Sequence, residues 1–243
     1  MTLRKGCGAA MLAAWLAAGC ATQAPTKGND AEALRYSLQL GYGYLENGQY
    51  GVALEKFQRA LALDRNSSDA YLGMAETYAR LAQYEKADTN YRKAIALADH
   101  PGSAHNNYGA FLCSQGRVPA AESEFQAAVA DPAYPTPAYA YTNAAVCLRK
   151  LADHGKVKRY LDQANRADPR FAQAWFEQAG LAFELQQPAA AKTYLERFHQ
   201  LTPPGRESLT LSYRIERALG NTVAAERLAS RIQKEFGHDP AAP

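Results

Sequence analysis

Leu40-Gly41-Tyr42-Gly43-Tyr44-Leu45-Glu46-Asn47-Gly48-Gln49-Tyr50-Gly51-Val52-Ala53-Leu54-Glu55-Lys56-Phe57-Gln58-Arg59-Ala60 decides the fold, because its dotted pattern returns further along the chain at a fixed distance. Gly41, Ala75 and Gly109 hold one slot at successive steps of 34 residues. Around them stand Leu40, Tyr44, Ala53, Phe57 and Ala60, then Met74, Tyr78, Ala87, Tyr91 and Ala94, then Tyr108, Leu112, Ala121, Phe125 and Ala128. The last three of each set fall at i, i+4 and i+7, one face of an amphipathic helix that must be buried. A small residue in the first slot lets a partner helix approach closely, and the nearby aromatic fills the space beside it. Asn47-Gly48 and Gly116 follow the first helix of their units, where a left-handed cap is favoured.

This pattern resembles the tetratricopeptide repeat, a helix-turn-helix unit that stacks into a solenoid. The resemblance implies an all-α fold of about six antiparallel helix pairs in a right-handed superhelix. The frame continues to Ala145 after a step of 36, then to Ala179 after 34, with Asp131-Pro132-Ala133-Tyr134-Pro135-Thr136-Pro137 as the proline-rich loop that absorbs the extra two residues outside the packed units. The units are expected near 34–67, 68–101, 102–135, 138–171, 172–205 and 206–236, within a repeat domain of residues 31–238 and a tail of 239–243. The sixth unit places Tyr213 where a small residue belongs, as suits a terminal, capping repeat.

Of the 243 residues, 47% are hydrophobic and 21% charged, enough to bury a core. The net charge of +3 is weak, and Arg149-Lys150 with Lys156, Lys158 and Arg159 is the notable basic cluster; it reads as a solvated helical face. No nucleic-acid partner is expected, since that would require a stronger basic stripe.

Residues 1–19 read as a lipoprotein signal peptide. Arg4 and Lys5 precede an apolar stretch, Gly6 to Gly19, that is too short to span a bilayer, which needs ~20 residues. Its end, Leu16-Ala17-Ala18-Gly19-Cys20, resembles a bacterial lipobox, with leucine one residue further from the cysteine than usual. The resemblance implies cleavage before Cys20 and acylation of that cysteine, at ~0.8 kcal/mol of membrane affinity per buried methylene. The other reading is an ordinary cleavage site that releases a soluble protein. Ala21 follows in place of Asp, which by the sorting rules of Gram-negative lipoproteins implies the outer membrane. Residues 20–30 then form the lipidated end and a flexible, periplasm-facing tether of ~17 Å average span.

With Cys7 in the signal and Cys20 acylated, Cys113 and Cys147 remain, near the ends of the first helices of adjacent units. In an oxidising compartment they can bridge if their Cα atoms come within ~7 Å. Two buried small apolar residues is the alternative. No catalytic chemistry is legible. His100, His105, His154, His199 and His238 are scattered without metal-ligand spacing, and Gly41-Tyr42-Gly43 lies inside a helix, not in a phosphate-cradling loop after a strand. Neither an enzyme activity nor a cofactor, metal or small-molecule substrate is expected.

Three local segments are more selective than the repeat: Asn106-Asn107-Tyr108-Gly109-Ala110-Phe111-Leu112-Cys113, the loop from Asp131 to Pro137, and Asn143-Ala144-Ala145-Val146-Cys147. Together with six units behind a lipobox, they resemble the PilF/PilW family of type IV pilus lipoproteins. That resemblance implies a pilotin, which carries or stabilises secretin subunits and promotes their multimerisation in the outer membrane. It also places the secretin contact on the first unit, where Leu38, Tyr42 and Leu45 form an apolar stripe at i, i+4 and i+7. The stripe reads equally as packing against unit two. Repeats that bind chaperone tails place Lys and Asn near these positions, so Leu38 and Tyr42 speak against that mode. The alternative function is another periplasmic repeat lipoprotein, a scaffold for β-barrel assembly or an adaptor for cell-wall proteases.

Overall fold

A computed structural model describes residues 27–237. They form twelve α-helices in six consecutive pairs: α1 (Lys27–Glu46) with α2 (Tyr50–Leu63), α3 (Ser68–Arg80) with α4 (Tyr84–Leu97), α5 (Gly102–Ser114) with α6 (Val118–Ala130), α7 (Pro137–Leu148) with α8 (His154–Ala167), α9 (Ala172–Glu184) with α10 (Pro188–Leu201), and α11 (Arg206–Ala218) with α12 (Thr222–Phe236). A short 3₁₀ turn, Arg149–Leu151, extends α7. No strand occurs among the described residues. Helix α1 begins at Lys27, so the last four residues of the expected tether are helical. Asp30 in its first turn suits the positive end of the helix dipole. Cys20 and the signal segment lie outside the described residues.

Each pair is locked by a size match between one slot on its first helix and one on its second. A Cβ at Gly41 would come 2.5 Å from the Phe57 ring, and one at Gly109 would come 2.7 Å from Phe125. Phe57 also fills the space over Gly73 of the following unit, so one ring closes two interfaces. Where alanine replaces glycine, the partner is Tyr91 opposite Ala75, Leu161 opposite Ala145 and Leu195 opposite Ala179, all in the buried clusters of their units. The sixth unit inverts the match: bulky Tyr213 packs with Ala229, which stands where the other second helices carry Phe, Tyr or Leu. The exchange conserves volume and keeps the pair closed.

Every unit turns through one left-handed residue, at Gly48, Ala82, Gly116, Ala152, Gln186 and Gly220, with φ between 55° and 77°. Glycine takes this conformation freely; Ala82, Ala152 and Gln186 hold it at a cost of ~1 kcal/mol each. The proline loop is more than a spacer for the two extra residues. Tyr134 is buried against Ala128 and Ala140, and the Asp131 carboxylate accepts hydrogen bonds from the backbone N–H of Ala133 and of Gly102, both at 2.9 Å. Asp131 thereby ties the loop to the start of α5, and these two backbone donors hold its carboxyl below the usual carboxylate range. The sequence pattern alone puts this loop outside the packed units; Tyr134 corrects that, because its ring belongs to the core.

First helices of successive units touch directly, α1 on α3, α3 on α5, α5 on α7, α7 on α9 and α9 on α11, whereas the second helices make no comparable contact with one another. The stack is therefore tighter on the first-helix side, which curves that side inward.

Candidate functional site

The inner face is lined by first-helix side chains, and the three residues of the expected stripe fare differently on it. Tyr42 is held by unit two. Its ring meets Phe57 edge-on at 5.1 Å, and its hydroxyl donates to the Asp69 carbonyl at 3.1 Å. Burial, followed by the nearby charges of Glu76 and Asp69, pushes its pKa upward. Leu38 and Leu45 are half-buried and open on either side of it. Leu38 borders a hollow of about 380 Å³ with Leu34, Leu72 and Leu97, rimmed by Asp64, Asp69 and His100. Leu45 borders a second hollow of about 560 Å³ with Ala79, Tyr91, Ala110 and Phe111. The stripe thus borders two hollows, a largely polar one beside Leu38 and a more apolar one beside Leu45, with Tyr42 between them.

The second hollow carries a group that sequence reasoning missed. Glu76, one repeat after Tyr42, lines it beside Arg80 and Asn107. Its carboxylate accepts a hydrogen bond from Asn107 Nδ2 at 2.6 Å. Asn106 Nδ2 donates to Asn107 Oδ1 at 3.2 Å, and Asn143 Nδ2 donates to Asn106 Oδ1 at 3.0 Å. A chain of amides so links the first helices of units two, three and four. Burial raises the pKa of Glu76, against the opposing effects of Asn107 and of the more distant Arg80. A glutamate on a helix reads as solvated in sequence, and only the neighbouring units reveal that it is not.

Cys113 and Cys147 form a disulfide, with Cα atoms 5.7 Å apart. It ties α5 to α7, and Lys150 Nζ donates to the Cys113 carbonyl across the same boundary at 2.7 Å. Closing a loop of 34 residues stabilises by ~3 to 4 kcal/mol in the chain-entropy model.

The basic cluster is exposed at Lys150, Lys158 and Arg159, as a solvated face, but much of its charge is paired. Arg149 pairs with Glu177 at 3.0 Å and donates to the Glu177 carbonyl at 2.8 Å, Lys156 pairs with Glu122 at 2.9 Å, and Lys158 pairs with Asp162 at 2.8 Å. The acids lie on other elements or one turn away, which a list of basic residues does not show. Among the described residues, no group of three or more His, Cys, Asp or Glu side chains is placed to hold a metal ion. His105 Nδ1 lies 2.6 Å from Glu124 on the neighbouring helix, and burial lowers the pKa of His199. Neither borders the two hollows beside the stripe.

Tetratricopeptide-repeat profiles match residues 44–90 and 72–136. No curated protein sequence matches. Among solved structures, that of PilW, a widely conserved type IV pilus biogenesis factor, superposes with a TM-score of 0.75 at 30% identity, covering 84% of this chain and 94% of that one. PilF of Pseudomonas aeruginosa gives a TM-score of 0.75 at 25% identity over 86% of this chain and 94% of its own. The chain belongs to the PilF/PilW family. A repeat protein from Cytophaga hutchinsonii, at 17% identity and a TM-score of 0.63 over 81% of this chain and 78% of its own, shares the fold alone.

The segments that carried the PilF/PilW resemblance in sequence are joined to one another along the length of α5. Asn106 is joined to Asn143 and Cys113 to Cys147, while Asp131 of the proline loop holds the first residue of α5. What looked like three signatures is one joint between units three and four. In this family member, the joint fixes the C-terminal edge of the amide chain that ends at Glu76.

Proposed function

We propose that this protein is an outer-membrane lipoprotein pilotin, anchored through acylated Cys20, that binds secretin subunits with the inner face of its first units and promotes their multimerisation in type IV pilus biogenesis. The observation that carries the reading is the likeness to PilW, at 30% identity over 94% of that chain. The half-buried leucines Leu38 and Leu45, each bordering a hollow, support it, because a scaffold of helix pairs grasps a partner segment by presenting apolar side chains along a groove. The lipobox-like end of the signal supports the anchor.

The test separates the two parts. Leu38→Asp combined with Leu45→Glu leaves Tyr42 to hold α1 on α3, so the variant keeps its helical signal and its melting transition while secretin multimers disappear from outer-membrane fractions. Normal multimers in that variant would sink the assignment of the site. Cys20→Ser is expected to move the protein to the soluble periplasmic fraction, and retention on the membrane would contradict the anchor.

A further inference from the structure

Other carboxylates on neighbouring helices have found a cation. Glu122 has Lys156, Glu177 has Arg149 and Glu216 has Lys192, each within 3.0 Å. Glu76 is half-buried like Glu122 and Glu177, yet no Lys, Arg or His nitrogen of the described residues lies within 4.0 Å of its oxygens. Asn107 supplies one hydrogen bond, and Arg80, one turn on, acts only at longer range. A carboxylate withdrawn from water without a counter-charge is costly to keep, and the cost falls when a cation enters beside it.

The shape of the hollow says what kind of cation. Leu45, Ala79, Ala110 and Phe111 offer apolar walls around about 560 Å³, with Arg80 at the edge and the buried Tyr91 at the base. A small inorganic ion gains nothing from such walls. A lysine or arginine buries its alkyl stem along them and brings its charged head to Glu76. The volume admits that side chain together with its apolar neighbours in a peptide.

We infer that the hollow between α1, α3 and α5 receives one lysine or arginine of a partner segment, flanked by apolar residues, with Glu76 as its counter-charge. This deepens the pilotin reading, on which only the identity of the partner rests. A secretin segment bound here therefore carries a basic residue at a fixed place between apolar ones.

A random twelve-residue peptide display library, panned against the full chain carrying Cys20→Ser, tests this without presuming the partner. Ala110→Arg, which fills the hollow, serves as the counter-selection. The expected binders share one Lys or Arg between apolar residues. Replacing that residue by Gln weakens binding about tenfold, Glu76→Gln does the same, and both together do no more than either alone. The amide introduced by Glu76→Gln keeps an acceptor oxygen for Asn107, so the fold is retained, and the melting transition checks this. Hollow-dependent binders without a basic residue, additive losses, or no binder lost with Ala110→Arg each overturn the inference. A selected peptide that binds as expected but fails to displace purified secretin subunits would instead overturn the pilotin reading of this hollow and leave the role of Glu76 standing.

Discussion

The two halves of the inner face are built from equivalent helices and treat charge in opposite ways. In units one to three Glu76 and a line of amides run along the face without a direct ion pair, and Arg80 acts on Glu76 only at longer range. In units four to six it is crossed by its own ion pairs. Arg149 reaches Glu177 at 3.0 Å and Glu184 at 3.9 Å, and Arg214 lies over the Phe183 ring at 4.8 Å. Repeat arithmetic makes the contrast direct: the slot of Glu76 becomes Gly180 in unit five, where the missing side chain leaves room for the Arg149 guanidinium 3.2 Å from a would-be Cβ. One half pairs its charges across its own units; the other holds Glu76 with an amide and no direct ion pair. A repeat protein can thus vary the charge along a continuous groove without changing its backbone.

The contrast is easiest to break on the ion-paired side. Glu177→Ala strips the half-buried Arg149 of its main partner and is expected to cost about 3 kcal/mol in chemical denaturation; a loss below about 0.5 would show that these pairs are ornamental. Reducing the Cys113–Cys147 disulfide, which sits at the junction of the two halves, is expected to cost a similar ~3 kcal/mol, read as a lower melting temperature with reductant and absent in a Cys113→Ala, Cys147→Ala variant. At the turns the effect is smaller and of either sign. Gly116→Ala should cost about 1 kcal/mol, while Ala82→Gly, at the equivalent left-handed position, should stabilise by a few tenths to 1 kcal/mol. The same melting experiments decide both.

The gentlest change sharpens the open side. Glu76 has a raised pKa in the fold, so it costs nothing at low pH, where both states are protonated, and destabilises the fold as pH rises from the ordinary carboxylate range through its folded pKa. Glu76→Gln removes that cost. The variant should match the parent near pH 4 and exceed it at pH 8 in denaturant midpoint; a deficit at pH 8 would mean the carboxylate is satisfied after all.

Much of this was readable from the chain. A period of 34 residues with one slip placed the helix starts of units two, three, five and six where the structure has them, and put Cys113 and Cys147 on adjacent first helices, because period and amphipathic face are properties of neighbouring positions. Glu76, Asn107 and the partners of Arg149 were hidden for the opposite reason. Their contacts span 28 to 31 residues, and nothing local tells a helix glutamate whether the next unit brings it a cation or an amide. Tyr42 stood between the two cases. Its face was legible, but its hydroxyl bond to the Asp69 carbonyl, 27 residues on, was not.

Phe57 closes its own unit against Gly41 and the next against Gly73, so the first boundary in the stack is shared property. Units cut at their loops are not interchangeable parts here. A chain shortened to begin at Ser68 would open a slot over Gly73 the width of an aromatic ring, and a foreign first unit grafted in its place must bring a phenylalanine at the same height. Divergence or engineering of this end has to alter α1 on its outward positions while keeping Gly41 and Phe57 together, which couples the freedom of an exposed surface to two buried residues beneath it.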